Sequence, residues 1–419
     1  MLDAGGLSSA RVCVPIPIFM RTLIVSDLHL GSATRVDVLR HLAPRRALLE
    51  ALDGVDRLVL LGDVLELRHG PRRSAMAAAQ PFFEALGDAF AGREIVVLAG
   101  NHDHALVEPW LARRGEHSLP AALEVEQRFG AAEASPMLAT FADWAAPARV
   151  SAAYPGLWVR EDVYATHGHY LDCHMRIPTM ERLGIGAIGR LQRRSLTTLA
   201  TVDDYEAVSS PIYAWIDAMA QQSRTGGALN GQGTVRAWRT LGGDRDYRPN
   251  RRRIMLRNRA LASGFPLVVA ALNRAGIGPL QADISGPALR RAALSAMGEV
   301  VTRLGLDDAG EGRRAGGSRE GSGAGRARGA DARAAHVIFG HTHRTGPLPS
   351  DQQPEWRAPG GAQLHNCGCW TYDSYFLDGQ PGENPYWPGG SVLVEDQGPP
   401  VLQRLLSEHS RVELMPALA

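Results

Sequence analysis

Cysteine is scarce in this chain, which has 4 among its 419 residues. So few thiols do not build a disulfide framework, and we expect them to be reduced, as in a cytoplasmic protein. Long apolar runs are missing too, because the stretch from Phe265 to Leu272 is far too short to cross a membrane. Residues 1–19 lack the basic leader of an export signal. The sequence thus predicts a cytoplasmic protein without a transmembrane segment, for which peripheral membrane contact stays open.

An excess of one charge is also missing, since 45 lysine and arginine residues stand against 44 acidic residues. No global attraction to nucleic acid or to an anionic membrane is therefore expected, and only a local patch would supply one. Two arginine clusters on predicted helices are candidates for a phosphate contact, with a solvated helix face as the alternative. They are Arg190, Arg193 and Arg194, and Arg251, Arg252, Arg253, Arg257 and Arg259.

What the chain does contain is a series of five polar clusters, each placed directly after a short apolar run. Runs of this length, rich in β-branched residues, are typical of buried strands in an α/β sheet. In such sheets ligands bind outside the carboxyl ends of the strands, so these clusters are expected to converge. The clusters are Asp27-Leu28-His29, Gly62-Asp63, Gly100-Asn101-His102-Asp103, His167-Gly168-His169 and Gly340-His341-Thr342-His343.

The residue types in these clusters predict a site for two divalent cations. Two neighbouring cations repel each other, and a shared carboxylate between them lowers that cost; Asp63 is the natural bridge. Asp27 and His29 lie two residues apart and can face one ion. An amide oxygen from Asn101 and imidazoles from His167, His341 and His343 complete a mixed nitrogen and oxygen shell. Such a shell suits Mn, Fe, Zn, Ni or Co better than Ca or Mg, and we favour Mn.

The five clusters resemble, in order and in local sequence, the motif blocks of the calcineurin-like metallophosphoesterases. They stand here as SDLHLG, GDVLE, GNHDH, THGHY and GHTHR. The resemblance covers residues from about Met20 to Tyr170 and from His336 to the C-terminal strands. It implies a four-layer α/β/β/α sandwich, and the segment that it leaves out is expected to be a helical cap inserted into that fold.

The resemblance also implies a role for each site residue. One metal would be held by Asp27, His29, Asp63 and His343, and the other by Asp63, Asn101, His167 and His341. His102 would stabilise the phosphoryl charge or protonate the leaving oxygen, with Glu66 as its orienting partner. The family more often has Asp at the position of Glu66. Asp103 is expected to bind loop amides.

The function that follows is hydrolysis of a phosphomonoester, phosphodiester or pyrophosphate bond by a hydroxide bridging two metal ions. The expected partner is a small phosphorylated substrate such as a nucleotide, a sugar nucleotide or a phospholipid-like molecule. A metal-dependent nuclease is the alternative enzyme, and it predicts a basic groove. A non-catalytic binding module is the third possibility, and it predicts missing ligands or a missing His102.

The order of predicted elements divides the chain into five parts. Residues 1–19 are expected to be a disordered extension, with Met20 as an alternative translation start. Residues 20–170 and 335–419 form the two parts of the metallophosphoesterase core. Residues 171–309 form the helical cap, for which a packed flank without substrate contact is the alternative. Residues 310–334, rich in glycine and arginine, are expected to be a disordered linker.

Helices are predicted between the strands and throughout the cap from their apolar spacing. Predicted helices include residues 38–52, 75–91, 108–114, 121–130 and 137–146, followed in the cap by 180–200, 205–222, 234–241, 254–275 and 287–304. Among the remaining histidines, His169 is expected near the metals without binding them. His104 and His174 are expected to be ordinary polar residues, and His365-Asn366 either supports the site or belongs to a plain loop.

Overall fold

The computed structural model describes residues 20–116, 120–222, 252–307, 333–377 and 383–416, and in residues 252–262 only the backbone. The predicted extension at residues 1–19, the predicted helix at 234–241 and most of the predicted linker at 310–334 lie outside these ranges. The described strands are β1 Thr22–Val25, β2 Arg57–Leu61, β3 Glu94–Leu98, β4 Glu126–Gly130, β5 Arg149–Arg160, β6 Val163–Thr166, β7 His336–Phe339, β8 Gln363–Asn366, β9 Gly390–Val394 and β10 Val401–Arg404.

The helices alternate with the strands in the first part of the chain and follow one another after β6. They are α1 Leu42–Ala51, α2 Arg72–Ala89, α3 Glu108–Gly115, α4 Ala131–Ala134, α5 Pro136–Trp144, α6 Met180–Leu191, α7 Val202–Gln222, α8 Arg252–Arg274, α9 Gly286–Arg303 and α10 Arg411–Leu414. Short 3-10 helices lie at Val38–Arg40, His104–Leu106, His169–Cys173, Leu196–Thr198 and Gln353–Trp356. The fold is therefore mixed α/β.

The ten described strands form one sheet in the order β10-β9-β1-β2-β3-β5-β6-β7-β8, with β4 paired to β5 outside this path. Strands β1, β2, β3 and β5 run parallel, and so do β6, β7 and β8. The antiparallel pairing of β5 with β6 joins these two groups. Because parallel strands point the same way, the loops that follow them gather at one edge of each group.

Apolar side chains cover both faces of the sheet, which explains why its strands read as continuous apolar runs. In β1, Leu23 and Val25 pack into one buried cluster that includes Phe82 of α2 and Phe141 of α5. The second cluster joins β6 to β8 with residues of α6, α7 and α9, among them Met297. The third cluster contains side chains from the other face of both strand groups, among them Ile24, Val59 and Ile338.

Two features of the sheet differ from the sequence prediction. The helix predicted at residues 121–130 is wrong, because Glu126–Gly130 form β4, which pairs antiparallel with β5. Strand β5 itself was not predicted, since its interior contains Ala152, Ala153, Pro155 and Gly156 in place of a β-branched run. In both segments, hydrogen bonding to a neighbouring strand outweighs the local conformational propensity of the residues.

A buried carboxylate ties helix α7 to the sheet. Glu206 accepts hydrogen bonds from the hydroxyls of Tyr154 (2.5 Å), Tyr170 and Ser210. The Nε2 atom of His104 lies 3.2 Å from the second carboxylate oxygen. Burial alone would raise the pKa of Glu206, but these partners, first among them His104, lower it to about 2. The network joins α7 to β5 and to the loop after β3.

We expect the Glu206→Gln substitution to destabilise the protein at neutral pH by about 2–4 kcal/mol, because several buried donors lose a charged acceptor. Since folding lowers the pKa of Glu206, its ionised form stabilises the protein above pH 4.5, the ordinary value, and this contribution disappears as the pH falls toward 2. Urea unfolding at pH 7 and pH 3 measures both effects. Glu84→Gln, on an exposed helix face, is the control; equal stability of the two variants at pH 7 would contradict the prediction.

Candidate metal centre

The structure brings all seven predicted ligands together at the carboxyl ends of the strands. Asp27 follows β1, Asp63 follows β2 and Asn101 follows β3. His167 directly follows β6, and the loop after β7 carries His341 and His343. The side chains come from distant segments of the sequence, for example His29 and His343, which are 314 residues apart. The sheet order groups the ligands at the carboxyl end of each strand group, and the contacts of Asp63 with His167 and of Asn101 with His341 show that these two ends meet.

One end of the cluster consists of Asp27, His29 and His343, whose ligand atoms all lie within 4.8 Å of one another. The Nε2 atoms of His29 and His343 are 3.0 Å apart. Asp27 Oδ1 lies 3.3 Å from His343 Nε2 and 3.8 Å from His29 Nε2. Asp27 and His29 are buried, while His343 is partly exposed.

The other end consists of Asp63, His167 and His341, which also offer ligand atoms within 4.8 Å of one another. Asp63 Oδ2 lies 3.3 Å from His167 Nε2 and 3.7 Å from His29 Nε2, so this carboxylate faces both ends. The Asn101 side-chain oxygen is 3.2 Å from His167 Nε2 and 3.0 Å from His341 Nδ1. Asp63 therefore offers a carboxylate oxygen to both ends of the cluster.

Two local features test whether these residues fit metal ions. The Asn101 side-chain oxygen faces atoms that act as acceptors, so as a hydrogen-bonding group it would be better placed with its amide reversed. Asp27 Oδ1 is buried and has no hydrogen-bond partner. Lone pairs from an amide, carboxylates and imidazoles that point at one another are satisfied by a cation between them. The donor set therefore fits divalent metals with mixed nitrogen and oxygen coordination.

The backbone at the site adopts a conformation that side-chain-bearing residues seldom have. Asp27, His29, Asp63, His341 and His343 all have positive φ, between 45° and 66°. Among non-glycine residues only Asp, Asn and His visit this left-handed region with some frequency. Strain of this kind concentrates at functional sites, where the surrounding structure enforces it. Here it turns consecutive polar side chains toward the same point.

Opposite charges dominate the electrostatics of the cluster. Burial alone would raise the pKa of Asp63, but His167, His102 and His29 hold it well below its ordinary value. Burial alone would lower the pKa of His167, yet Asp63 and Asp27 raise it to about 9. Burial alone would also lower the pKa of His29, but Asp27, Glu66 and Asp63 raise it to about 10.

Glu66 contacts two histidines of the site. Its Oε2 lies 2.9 Å from Nδ1 of His102 and 3.0 Å from Nδ1 of His29. The contact with His102 was predicted, whereas the contact with His29 was not. Burial and the nearby guanidinium of Arg68 lower the pKa of His102 to about 4. Glu66 therefore orients the rings of both His102 and His29.

The prediction that Asp103 binds loop amides is confirmed. Its carboxylate accepts hydrogen bonds from the backbone N–H groups of Asp63 (3.2 Å), Val64 (2.7 Å), Leu65 (3.2 Å) and Gly100 (2.7 Å). These bonds join the loop after β2 to the loop after β3. Asp103 thereby fixes the positions of Asp63 and Asn101 relative to each other.

Two sets of contacts at the site were not predicted from the sequence, those of Arg68 and the contact of Asp172 with His341. The buried guanidinium of Arg68 donates to the carbonyl oxygen of Asn101 (2.9 Å) and to Glu181 of helix α6 (2.7 Å). Asp172 Oδ2 lies 3.0 Å from Nε2 of His341 and orients that ring. Arg68 stands two residues after Glu66, which was the only signal for it in the sequence.

The remaining polar residues near the strand ends have mainly structural contacts. Asn366 donates to the carbonyl oxygen of Gly340 (3.0 Å) and to the Thr342 hydroxyl (2.8 Å), so it supports the loop of His341 and His343. His365 instead faces His336, with 3.1 Å between their ring nitrogens. His174 contacts the Tyr205 hydroxyl at 2.7 Å. Both ring nitrogens of His169 are buried without a hydrogen-bond partner.

The predicted basic clusters do not reach the site through any described contact. Arg190 and Arg193 are exposed, and Arg194 pairs with Asp204 at 2.6 Å. Arg251 lies outside the described residues, and so do the side chains of Arg252, Arg253, Arg257 and Arg259. The predicted single helix under this cluster is wrong, because α6 ends at Leu191 and only Arg190 lies on it, so the first cluster is solvated surface without a shared helix face.

Residues 20–209 match the family model of the calcineurin-like phosphoesterases. The match includes five of the seven residues at the metal centre and extends through helix α6 into α7. A search of curated proteins found no match. Within the described ranges, no helix combines the length and the apolarity that a bilayer span demands.

Proposed function

Since the chain belongs to the calcineurin-like phosphoesterase superfamily, we propose that it hydrolyses a phosphoester or pyrophosphate bond with two divalent metal ions. The observation that supports this most is the convergence of two donor groups, Asp27, His29 and His343 and Asp63, His167 and His341, with Asp63 facing both. A non-catalytic descendant of the fold would be expected to have lost some of these side chains.

In this proposal Asp27, His29, Asp63 and His343 hold one ion, and Asp63, Asn101, His167 and His341 hold the other. The chemistry supplied when both are bound is Lewis-acid polarisation of the phosphate and activation of water for in-line attack. Asp172 fixes the ring of His341 through Nε2, so that Nδ1 faces Asn101. His167 Nδ1 lies 2.9 Å from the carbonyl oxygen of Leu61, which leaves its Nε2 toward Asp63.

His102 and Glu66 form the proposed catalytic pair. Glu66 accepts a hydrogen bond from Nδ1–H of His102, and Nε2 is then directed toward the phosphoryl or leaving-group oxygen, to which it donates its proton when the ring is an imidazolium. The backbone N–H of His102 donates to Asp63 Oδ1 at 2.8 Å, so the histidine is anchored directly to the proposed bridging residue. This contact places His102 within reach of whatever group lies at the bridge.

The finer architecture is part of the same proposal. The three buried apolar clusters support a four-layer sandwich, in which helices lie outside two groups of strands that face each other across the third cluster. We interpret residues 20–170 and 335–419 as the core and 171–309 as an insertion. The ion pairs Arg68–Glu181 and Arg72–Asp217 support the idea that α6 and α7 of the insertion cover the catalytic edge.

A metal and substrate panel tests the proposed function. Protein stripped with chelator is assayed after addition of Mn, Fe(II), Zn, Ni, Co or Mg. The substrates are p-nitrophenyl phosphate, bis-p-nitrophenyl phosphate and nucleoside-diphosphate sugars. We expect hydrolysis that depends on a transition metal, with Mn among the best. Equal rates with and without metal, or no hydrolysis in any combination, would refute the proposal.

A further inference from the structure

The two proposed metal sites differ in the origin of the residues that orient their ligands. The Asn101 site has the ligands Asp63, Asn101, His167 and His341, and the His343 site has the ligands Asp27, His29, Asp63 and His343. Two ligands that belong to the Asn101 site alone, Asn101 and His341, are held by contacts that lead into residues 171–309, the proposed insertion. The two sites therefore depend on different parts of the chain.

Asp172 orients His341 from the first residues of the proposed insertion. Its buried carboxylate oxygen Oδ2 lies 3.0 Å from Nε2 of His341. The other ring nitrogen, Nδ1, then faces the side-chain oxygen of Asn101 at 3.0 Å. A carboxylate on the far nitrogen of a ligating imidazole fixes the orientation of the ring and raises its basicity. The geometry of His341 as a ligand therefore depends on the position of Asp172.

Helix α7 holds the chain on both sides of Asp172. Two residues before it, the hydroxyl of Tyr170 donates to Glu206 of α7. One residue after it, Sγ of Cys173 lies 3.6 Å from Oγ of Ser209, which also belongs to α7. Tyr170 and Cys173 pack in the same buried cluster as apolar residues of α6, α7 and α9. The position of Asp172 therefore depends on the docking of these helices.

Arg68 connects helix α6 to the backbone of Asn101. Its buried guanidinium donates through Nη2 to the carbonyl oxygen of Asn101 (2.9 Å) and through Nη1 to Glu181 in the first turn of α6 (2.7 Å). Asp63 and Glu66 also attract this cation. Without Glu181 the guanidinium would move toward them, because a buried cation needs a carboxylate partner, and its bond to Asn101 would be lost. Helix α6 thus fixes the loop that carries Asn101.

The ligands of the His343 site are oriented within the proposed core. Glu66 Oε2 lies 3.0 Å from Nδ1 of His29. Asp27 Oδ2 accepts a hydrogen bond from the backbone N–H of His341 at 2.9 Å. These partners belong to residues of the core, so displacement of α6 and α7 would leave them in place.

From this difference we infer that the proposed insertion controls the occupancy of the Asn101 site and leaves the His343 site unaffected. Asp172 and Arg68 are the positioning residues through which it acts. With α6 and α7 docked, they hold His341 and Asn101 in place; with the helices displaced, the site loses two oriented ligands and binds its ion more weakly. The inference rests on the proposed function and adds a control over its metal content.

Titration of the chelator-stripped full chain with Mn(II), followed by electron paramagnetic resonance, tests the inference. The spectrum separates free Mn, a single bound ion and a spin-coupled pair, so it yields a Kd for each ion. The variants are Asp172→Asn and the double variant Arg68→Met with Glu181→Gln, which keeps the net charge. We expect each to raise the Kd of one ion roughly 10-fold or more and to leave the Kd of the other unchanged.

Two ligand substitutions identify the ion that is affected. His343→Ala leaves the Asn101 site to be measured by itself, and His167→Ala leaves the His343 site. Asp172→Asn is expected to weaken Mn binding in the first background and to have no effect in the second.

The matched control is Asp217→Asn. It removes the ion pair with Arg72 (2.6 Å), which also joins α7 to the proposed core but includes no neighbour of Asn101 or His341. Both Kd values should remain at the wild-type level. The urea midpoints of all variants verify that the chain is folded.

Hydrogen exchange measures the same coupling from the other side. Because linkage is reciprocal, an ion that binds more tightly when α6 and α7 are docked also stabilises their docking. We expect Mn to slow amide exchange in α6 and α7 in the His343→Ala background and not in the His167→Ala background.

The outcomes separate the inference from the function on which it rests. Wild-type protein with two bound Mn ions, together with unchanged Kd values in both positioning variants, would overturn the inference alone. An equal rise of both Kd values would do so too, since it indicates general destabilisation, as would an equal effect in Asp217→Asn. If the wild-type protein binds fewer than two Mn ions, the two-metal part of the proposed function fails, and the inference fails with it.

Discussion

Replacing Asp63 with asparagine is expected to lower kcat/KM of the metal-loaded enzyme by roughly 10³-fold or more, because the bridge between the two metal ions is lost. Asparagine retains an oxygen at the position of Asp63 Oδ1, which accepts the backbone N–H of His102 at 2.8 Å. The loop should therefore keep its conformation, while the Oδ2 atom that faces His167 and His29 loses its charge. Metal analysis of the purified variant should show less than the wild-type content.

The matched control is Asp307→Asn, which neutralises a buried carboxylate that accepts the backbone N–H of Gly360 at 2.8 Å, away from the metal centre. Circular dichroism and the urea midpoint of both variants verify that folding is preserved. Wild-type turnover and metal content in Asp63→Asn would refute the assignment of Asp63 as the bridge, whatever the substrate.

His102→Gln is expected to have the second largest effect, a decrease in kcat of about 10²–10³-fold with both metal ions still bound. The imidazole does not belong to the proposed ligand sets, and Glu66 continues to orient His29 through the 3.0 Å contact with Nδ1. In the proposed mechanism, loss of His102 therefore removes the group assigned to the phosphoryl or leaving oxygen and leaves the metal shell in place. The effect should be larger for substrates with poor leaving groups, because they depend more on proton donation.

Metal content and a leaving-group series distinguish this role from a structural one. His41→Gln serves as the control, since His41 is the N-cap residue of α1 and makes no capping hydrogen bond with its side chain. Loss of both metals from His102→Gln would show that His102 is a ligand or supports one. An equal decrease in kcat for good and poor leaving groups would argue against a role in protonation.

The sequence was sufficient to predict the convergence of the ligands because two simple patterns coincide. Short apolar runs mark strands that are buried on both faces, and polar residues directly after them mark the edge where ligands bind. Asp27, Asp63 and Asn101 could be placed this way without any contact information. The loops that present them could not, since nothing in the pattern shows that Asp27 or Asp63 has positive φ.

Residues that act through tertiary contacts could not be predicted. Arg68 matters because it meets the carbonyl oxygen of Asn101 and a glutamate from α6, and both contacts depend on how the helices pack. Strand β4 was misread because residues 121–130 contain good helix formers, while its structure depends on pairing with β5.

The separation of 314 residues between His29 and His343 has a consequence for how the protein is made. During synthesis the N-terminal ligands leave the ribosome long before the loop after β7 exists. A nascent chain therefore holds incomplete donor sets until that loop has emerged and β7 has joined β6. With the proposed ligand sets, tight metal uptake would then be a late event in maturation, and a bound ion would report that both halves of the sheet have been assembled.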